Sequence, residues 1–212
     1  MAKLMIAMPT MGTVHTRCMM SLFAMDKPED TVLMTTCSSL VYNARNYLYK
    51  QAVDLGCEAI LWVDSDMIVP ASAYTKLATE SQELGVSFVT GLYFTKKEPI
   101  QPVLAKKLEW KQDQVTFQCT HNIEIYNDYP RDSVFPVEGA GFGCVYTKVD
   151  MLKRITKTYG SSPFEPIPGL GEDYSMCWKA KDLGYEMLCD SSVRCGHIGE
   201  YVFAEGESNE KV

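Results

Sequence analysis

Positive charge is in short supply in this chain. Its 20 Lys and Arg stand against 27 Asp and Glu, a formal net charge of −7 over 212 residues. That balance excludes a broad basic footprint for nucleic-acid backbones, though not a small local groove. No Cys-x-x-Cys pair occurs, and the 8 cysteines are scattered through apolar runs. A disulfide scaffold crowds its cysteines into a shorter, loop-rich chain, so reduced core thiols are expected. Histidine is rarer still, with 3 copies, and Cys195 near His197 finds no second Cys/His pair to complete a zinc site. Long apolar runs are missing too. The run that opens the chain stops at Pro9, too short for a secretory core, and none reaches the length that spans a bilayer. The expected setting is the cytoplasm, with no membrane span.

What is present is 46% hydrophobic content, enough for the core of one moderately large domain. Buried strands are expected at Leu4–Met8, Thr31–Thr36, Ala59–Val63 and Val86–Phe94. Helical spacing of Leu40, Ala44, Tyr47, Leu48, Ala52 and Leu55, capped by Ser38 or Asn43, runs up to Gly56. A second helix is expected over Pro70–Leu84, ended by Gly85. This alternation implies an α/β fold: a mostly parallel open sheet with helices on both faces. Residues Lys96–Pro136, rich in short alternating runs and prolines, read as a β-rich insertion. Regularity returns with a strand at Gly143–Thr147, helices at Val149–Ile155 and Glu172–Leu183, and a last strand at Tyr185–Cys189. The expected organisation is one domain over residues 1–204, followed by a flexible acidic tail at 205–212.

Asp64-Ser65-Asp66 ends the third apolar run, at the sheet edge where open α/β folds bind ligands. In strand-like geometry residues two apart point the same way, so both carboxylates would face one volume. Two such anions call for a cation, and a divalent metal carrying a diphosphate supplies it. The competing reading is a capped turn with one solvated Asp. Arg45 stands just upstream, able to reach a phosphate or to brace the Asp64 loop. Glu138-Gly139-Ala140-Gly141-Phe142-Gly143 offers a backbone that a ligand can approach closely, or a tight bulge with no ligand. It precedes a strand, which excludes a dinucleotide fingerprint. Glu172 and Asp173 open a helix whose dipole favours the ionised carboxylate, so capping and general-base roles both fit. His197 lies between glycines just past the last strand, where it can approach a metal.

Taken in order, Ala44-Arg45-Asn46, Asp64-Ser65-Asp66, Thr90-Gly91-Leu92-Tyr93-Phe94, Gly139 to Gly143, Gly171-Glu172-Asp173 and Gly196-His197-Ile198-Gly199 resemble the GT-A glycosyltransferases. The likeness is to the small family-two type of bacteria and phages, and it spans Met5 to Gly199. It implies a nucleotide-diphosphate sugar donor and Mn²⁺ or Mg²⁺. It assigns the metal to Asp66 first, with Asp64 in support and His197 completing the site. Asp173 becomes the base of an inverting reaction, and Glu172 orients the acceptor or its loop. Pro9, Thr10, Arg45, Asp64, Ser65, Gly139, Ala140 and Gly141 fall to the donor. A phage-borne member would work in the host cytoplasm.

Residues Lys96–Pro136 match no motif of that family, so acceptor identity is expected there. The acceptor hydroxyl would belong to a glycan, a protein or a modified nucleic-acid base, the last served by a patch such as Lys96, Lys97, Lys106 and Lys107. Two other readings stay open. A sugar-phosphate nucleotidyltransferase shares the architecture but carries a Gly- and Arg/Lys-rich loop after its first strand. Here Met11-Gly12-Thr13 offers one glycine, and Arg17 comes late. Against a non-catalytic sugar-nucleotide-binding protein stand Asp66, Asp173 and His197.

Overall fold

The computed structural model describes residues 3–199 and the backbone of 202–203; the expected acidic tail at 205–212 lies outside the described residues. In chain order the elements are β1 (Leu4–Thr10), α1 (Thr16–Ala24), β2 (Val32–Cys37), α2 (Val41–Asp54), β3 (Ala59–Val63), β4 (Met67–Ile68), α3 (Ala73–Glu83), β5 (Phe88–Leu92), β6 (Leu104–Gln112), β7 (Cys119–Ile125), β8 (Val134–Val137), β9 (Gly139–Ala140), β10 (Cys144–Lys148), α4 (Val149–Tyr159), α5 (Glu172–Asp182), β11 (Met187–Arg194), β12 (Gly196–Ile198) and β13 (Val202–Phe203). The central sheet runs β2-β1-β3-β10-β5-β11-β8. β2, β1 and β3 are parallel to one another, as are β5 and β11, whereas β10 runs antiparallel between β3 and β5. β8 closes the far edge, antiparallel to β11.

Helices cover both faces, and the strands show why their sequences are continuously apolar. Along β1 every residue is buried. Leu4, Ile6 and Met8 pack with Leu22 of α1 and Leu77 of α3. Met5 and Ala7 face the other way, toward Leu48 of α2, Leu152 of α4 and Met176 of α5. A strand covered on both sides has no solvent face to mark with polar residues. β2, at the sheet edge, alternates instead between half-buried and exposed residues. Six cysteines (Cys18, Cys57, Cys144, Cys177, Cys189 and Cys195) are buried thiols, but Cys37 is exposed and Cys119 half-buried, so the core reading does not extend to those two.

Three features depart from the sequence expectations. α1 falls in a stretch to which the sequence pattern assigned no element; its buried residues Cys18 and Leu22 are one turn apart, but exposed Met20 and Phe23 blur the apolar face. The expected caps of α2 do not cap it: Leu40 holds the N-cap position, and the Ser38 hydroxyl accepts from the Leu40 N–H at 3.2 Å. The middle segment does form a hairpin, β6 with β7. Its alternating run from Val115 to Cys119, however, lies mostly in the turn, and Val134–Pro136 belong to the main sheet through β8. Among the described residues no helix is long and apolar enough to cross a membrane.

Candidate active site

Asp64 follows β3 in the same parity as Ile60 and Trp62, so it faces α2 and α5. There it meets Arg45 of α2, whose Nη2 lies 3.0 Å from Asp64 Oδ1 and whose Nε lies 3.4 Å from Glu172 Oε1. The Arg45 side chain is 3% exposed, with its guanidinium carbon 5.3 Å from the Phe142 ring centre and 6.0 Å from that of Phe164. Burial works against its charge, but Asp64, Glu172 and Asp173 outweigh that and raise its pKa. Its Nη1 is buried without a hydrogen-bond partner among the described residues. Of the two roles the sequence allowed for Arg45, bracing the Asp64 loop is the one its contacts fit. Asn46 acts on the same ground, its Oδ1 accepting from the Phe164 N–H at 3.0 Å.

Asp66 has a different setting. The Met67 N–H donates to the Asp64 carbonyl at 3.1 Å, closing a turn that ends strand parity, so the two carboxylates do not point alike. β4 pairs antiparallel with β12, placing His197 opposite Met67, and the Ile198 N–H donates to the Asp66 carbonyl at 2.8 Å. His197 Nε2 thus comes within 3.7 Å of Asp66 Oδ1. Its Nδ1 is 2.7 Å from the Phe94 carbonyl, which can only accept, so Nδ1 carries the proton and Nε2 offers a lone pair. Burial holds the His197 pKa below its ordinary value, against the pull of the Phe94 carbonyl and Asp66. The other Asp66 oxygen is in close ion-pair contact with Lys96.

Asp173 opens α5, and one of its oxygens accepts from the Tyr174 N–H at 2.7 Å. Its pKa is pushed up to about 6, first by burial and then by Glu172, against the pull of Tyr174 N–H and Arg45. The helix dipole was expected to keep this group ionised at neutral pH, and it stays mostly so although desolvation and a neighbouring carboxylate raise its pKa. Burial likewise pushes Asp64 up, held back by Arg45. Three carboxylates act on one guanidinium, and burial pushes both Asp64 and Asp173 up.

A cleft of about 380 Å³ opens here, lined by Pro9, Thr10, Met11, Ser38, Ser39, Val41, Asp64, Ser65, Asp66, Lys96 and His197. A second hollow of about 470 Å³ adjoins it, sharing Met11, Ser65 and Asp66 and reaching His15 and Thr16. The cleft lies at the carboxyl ends of β1 and β3, where the Thr10 carbonyl accepts from the Ser38 N–H at 3.2 Å and ties the ends of β1 and β2 together.

Of the expected site residues, Pro9, Thr10, Asp64, Ser65, Asp66 and His197 share this cleft. Buried Arg45 and half-buried Glu172 and Asp173 lie beside it and are not among its walls. Gly139, Ala140 and Gly141 are buried and also outside its walls. Their smallness serves packing: a Cβ on Gly139 would meet the Tyr174 ring at 2.9 Å, and one on Gly141 would collide with the Tyr93 hydroxyl. The four lysines do not make an open patch, since Lys96, Lys106 and Lys107 pair with Asp66, Asp128 and Glu109. Sequence reasoning missed Met11, Ser38, Ser39 and Val41 as walls, and Lys96 as a partner of Asp66. The available signal was position, because each lies just past the carboxyl end of a central strand.

Among the described residues no three His, Cys, Asp or Glu side chains gather closely enough to hold a metal by themselves. Asp66 and the His197 lone pair nevertheless form a two-donor set, which fits a hard dication that takes its remaining ligands from water and phosphate. No family model matches the chain, and no curated protein matches it by sequence. Solved structures do. The crystal structure of A197 from STIV aligns over 100% of this chain and 98% of its own, with a TM-score of 0.66 at 16% identity. The crystal structure of GalNAc-T7 with UDP, GalNAc and Mn²⁺ aligns over 97% of this chain with a TM-score of 0.60 at 11% identity; this chain spans 45% of it. Identities this low speak for architecture, and the architecture is an α/β fold of the GT-A kind.

Proposed function

We propose that this protein is a metal-dependent glycosyltransferase, a hexosyl- or pentosyltransferase, moving a sugar from a nucleotide-diphosphate sugar to an acceptor hydroxyl. The observation that carries the reading is Asp66 and His197 Nε2 converging within 3.7 Å on the cleft at the carboxyl edge of the sheet. Two facing acceptors are unfavourable without a cation, and a diphosphate beside them needs one. The GT-A architecture and a structural neighbour solved with UDP, GalNAc and Mn²⁺ support the same donor class.

Pro9, Thr10 and Ser65 hold the nucleotide end, and Asp66 with His197 hold Mn²⁺ or Mg²⁺, Asp64 bracing the turn between them. Bound there, the ion would supply Lewis-acid stabilisation of charge on the departing diphosphate. Asp173 takes the proton from the acceptor hydroxyl opposite the leaving group. Its pKa of about 6 leaves it mostly ionised at neutral pH yet basic enough to accept. Glu172 and Arg45 position it. We assign catalysis to a single domain over 1–204 and acceptor choice to residues 96–136; the acceptor is a glycan, a protein or a modified nucleic-acid base. The cytoplasmic setting, and the host cytoplasm for a phage-borne enzyme, rest on the sequence.

Incubating the protein with a panel of nucleotide sugars and Mn²⁺ tests this directly. Release of nucleoside diphosphate supports transfer, release of pyrophosphate would move the protein to the nucleotidyltransferases, and binding without turnover would make it a sugar-nucleotide-binding protein.

A further inference from the structure

Lys96 takes no part in that reaction, yet it touches the residue at its centre. Its ammonium is in close contact with one Asp66 oxygen, while the other Asp66 oxygen faces His197. The backbone that delivers it also orients the histidine, because Phe94, two residues earlier, accepts the His197 Nδ1 proton. Lys96 therefore stands against the very oxygens that would bind a metal. The pair is loose: the side chains are 38% and 34% exposed, and an ion pair that wet contributes little. An ammonium on four flexible carbons is easily withdrawn. It also leaves the His197 lone pair facing Asp66, an arrangement that a dication resolves better.

Resting on the donor-site reading, we propose that Lys96 is an exchangeable occupant of the cation position. It excludes the bare divalent ion. It yields when the ion arrives with a nucleoside diphosphate, whose negative charge then receives the freed ammonium. Metal and nucleotide would accordingly bind as a unit, with neither holding well alone.

Calorimetric titration of the full chain with Mn²⁺ alone, and with UDP or GDP in Mn²⁺ or in EDTA, tests this. Lys96→Met should bind bare Mn²⁺ about tenfold more tightly than the parent, and UDP or GDP with Mn²⁺ about tenfold more weakly, the scale of removing one charge-assisted hydrogen bond. Lys96→Arg, which keeps the charge, should stay close to the parent in the Mn²⁺ titration. Unchanged Mn²⁺ affinity in Lys96→Met overturns the proposal. Equal nucleotide affinity of the parent in EDTA also overturns it, making the lysine a permanent substitute for the metal. If neither UDP nor GDP binds the parent with Mn²⁺, the donor-site reading fails first. If nucleotide binding is lost in Asp66→Ala while Mn²⁺ affinity ignores Lys96, that reading stands and the exchange alone is refuted.

Discussion

Asp64 and Asp66 are two residues apart and similarly exposed, at 29% and 34%, yet their cationic partners occupy different media. Asp64 is clamped by a guanidinium that is 3% exposed, amid Phe142, Phe164 and Glu172. Asp66 meets a lysine that is 38% exposed and a histidine lone pair. A charge pair out of water is stiff and costly to break, whereas one in water is cheap and exchangeable. The first suits a brace whose job is never to move, and the second a site that must trade partners during a reaction cycle.

The largest expected effect comes from destroying the brace. Arg45→Met leaves three carboxylates crowded without their cation and should cost on the order of 3–5 kcal/mol of stability in a urea melt. Lys96→Met, on the open side, should cost within about 1 kcal/mol. Similar losses for both would erase the distinction.

Next in size is Asp173→Asn, which keeps shape and removes the proton-accepting charge. Turnover should fall by roughly two orders of magnitude or more with donor affinity nearly unchanged. In the parent, the rate should drop as pH falls through about 6, where Asp173, crowded by Glu172 and Asp64 and facing Arg45 and Tyr93, takes up a proton. The variant's residual rate should lack that acidic limb; a limb that persists would assign the titration elsewhere.

His197→Ala probes the open side. Mn²⁺-dependent nucleotide affinity should weaken roughly 10–100-fold, the scale for disturbing a metal site, while the melting temperature barely moves. A large drop in melting temperature with intact metal dependence would make His197 a packing residue.

The smallest effect lies away from the cleft. Glu80 hydrogen-bonds with Asp190, and burial followed by that contact pushes its pKa up to about 8. Its Oε2 is buried with no hydrogen-bond partner among the described residues. A carboxyl whose folded pKa exceeds its unfolded value binds a proton on folding, so its contribution is full below about 4.5 and is lost as pH rises toward 8. Glu80→Gln should therefore gain on the parent between pH 5 and pH 8, by on the order of 1 kcal/mol given the water that reaches the pair. A pH-independent difference would show that no proton is shared.

Much of this was readable in advance where one local cause dominates. β3 matched its apolar run residue for residue, because a strand buried on both faces needs no other signal. The open carboxylate and its histidine were legible too, from glycines and a strand end. Less visible was anything set by contacts between distant segments. That the glycines near 140 make room for Tyr93 and Tyr174, and that Lys96 reaches Asp66, both depend on residues 30 to 50 positions apart, whereas the brace on Asp64 was one of two roles left open for Arg45. The antiparallel course of β10 was equally hidden, since an apolar run carries no arrow.

That reversed strand has a topological consequence. The chain leaves the central sheet after Leu92, touches its far edge through β8, and re-enters its middle at Cys144, beside Val63, where the Asp64 N–H donates to the Gly143 carbonyl at 3.2 Å. Exit and return both lie on the edge that bears the cleft. The β6–β7 hairpin carried on this excursion lies outside the central sheet, so its length and content can change without shifting the register of any strand that holds the nucleotide side. A lineage remodelling this protein for new targets would find its interchangeable part already delimited.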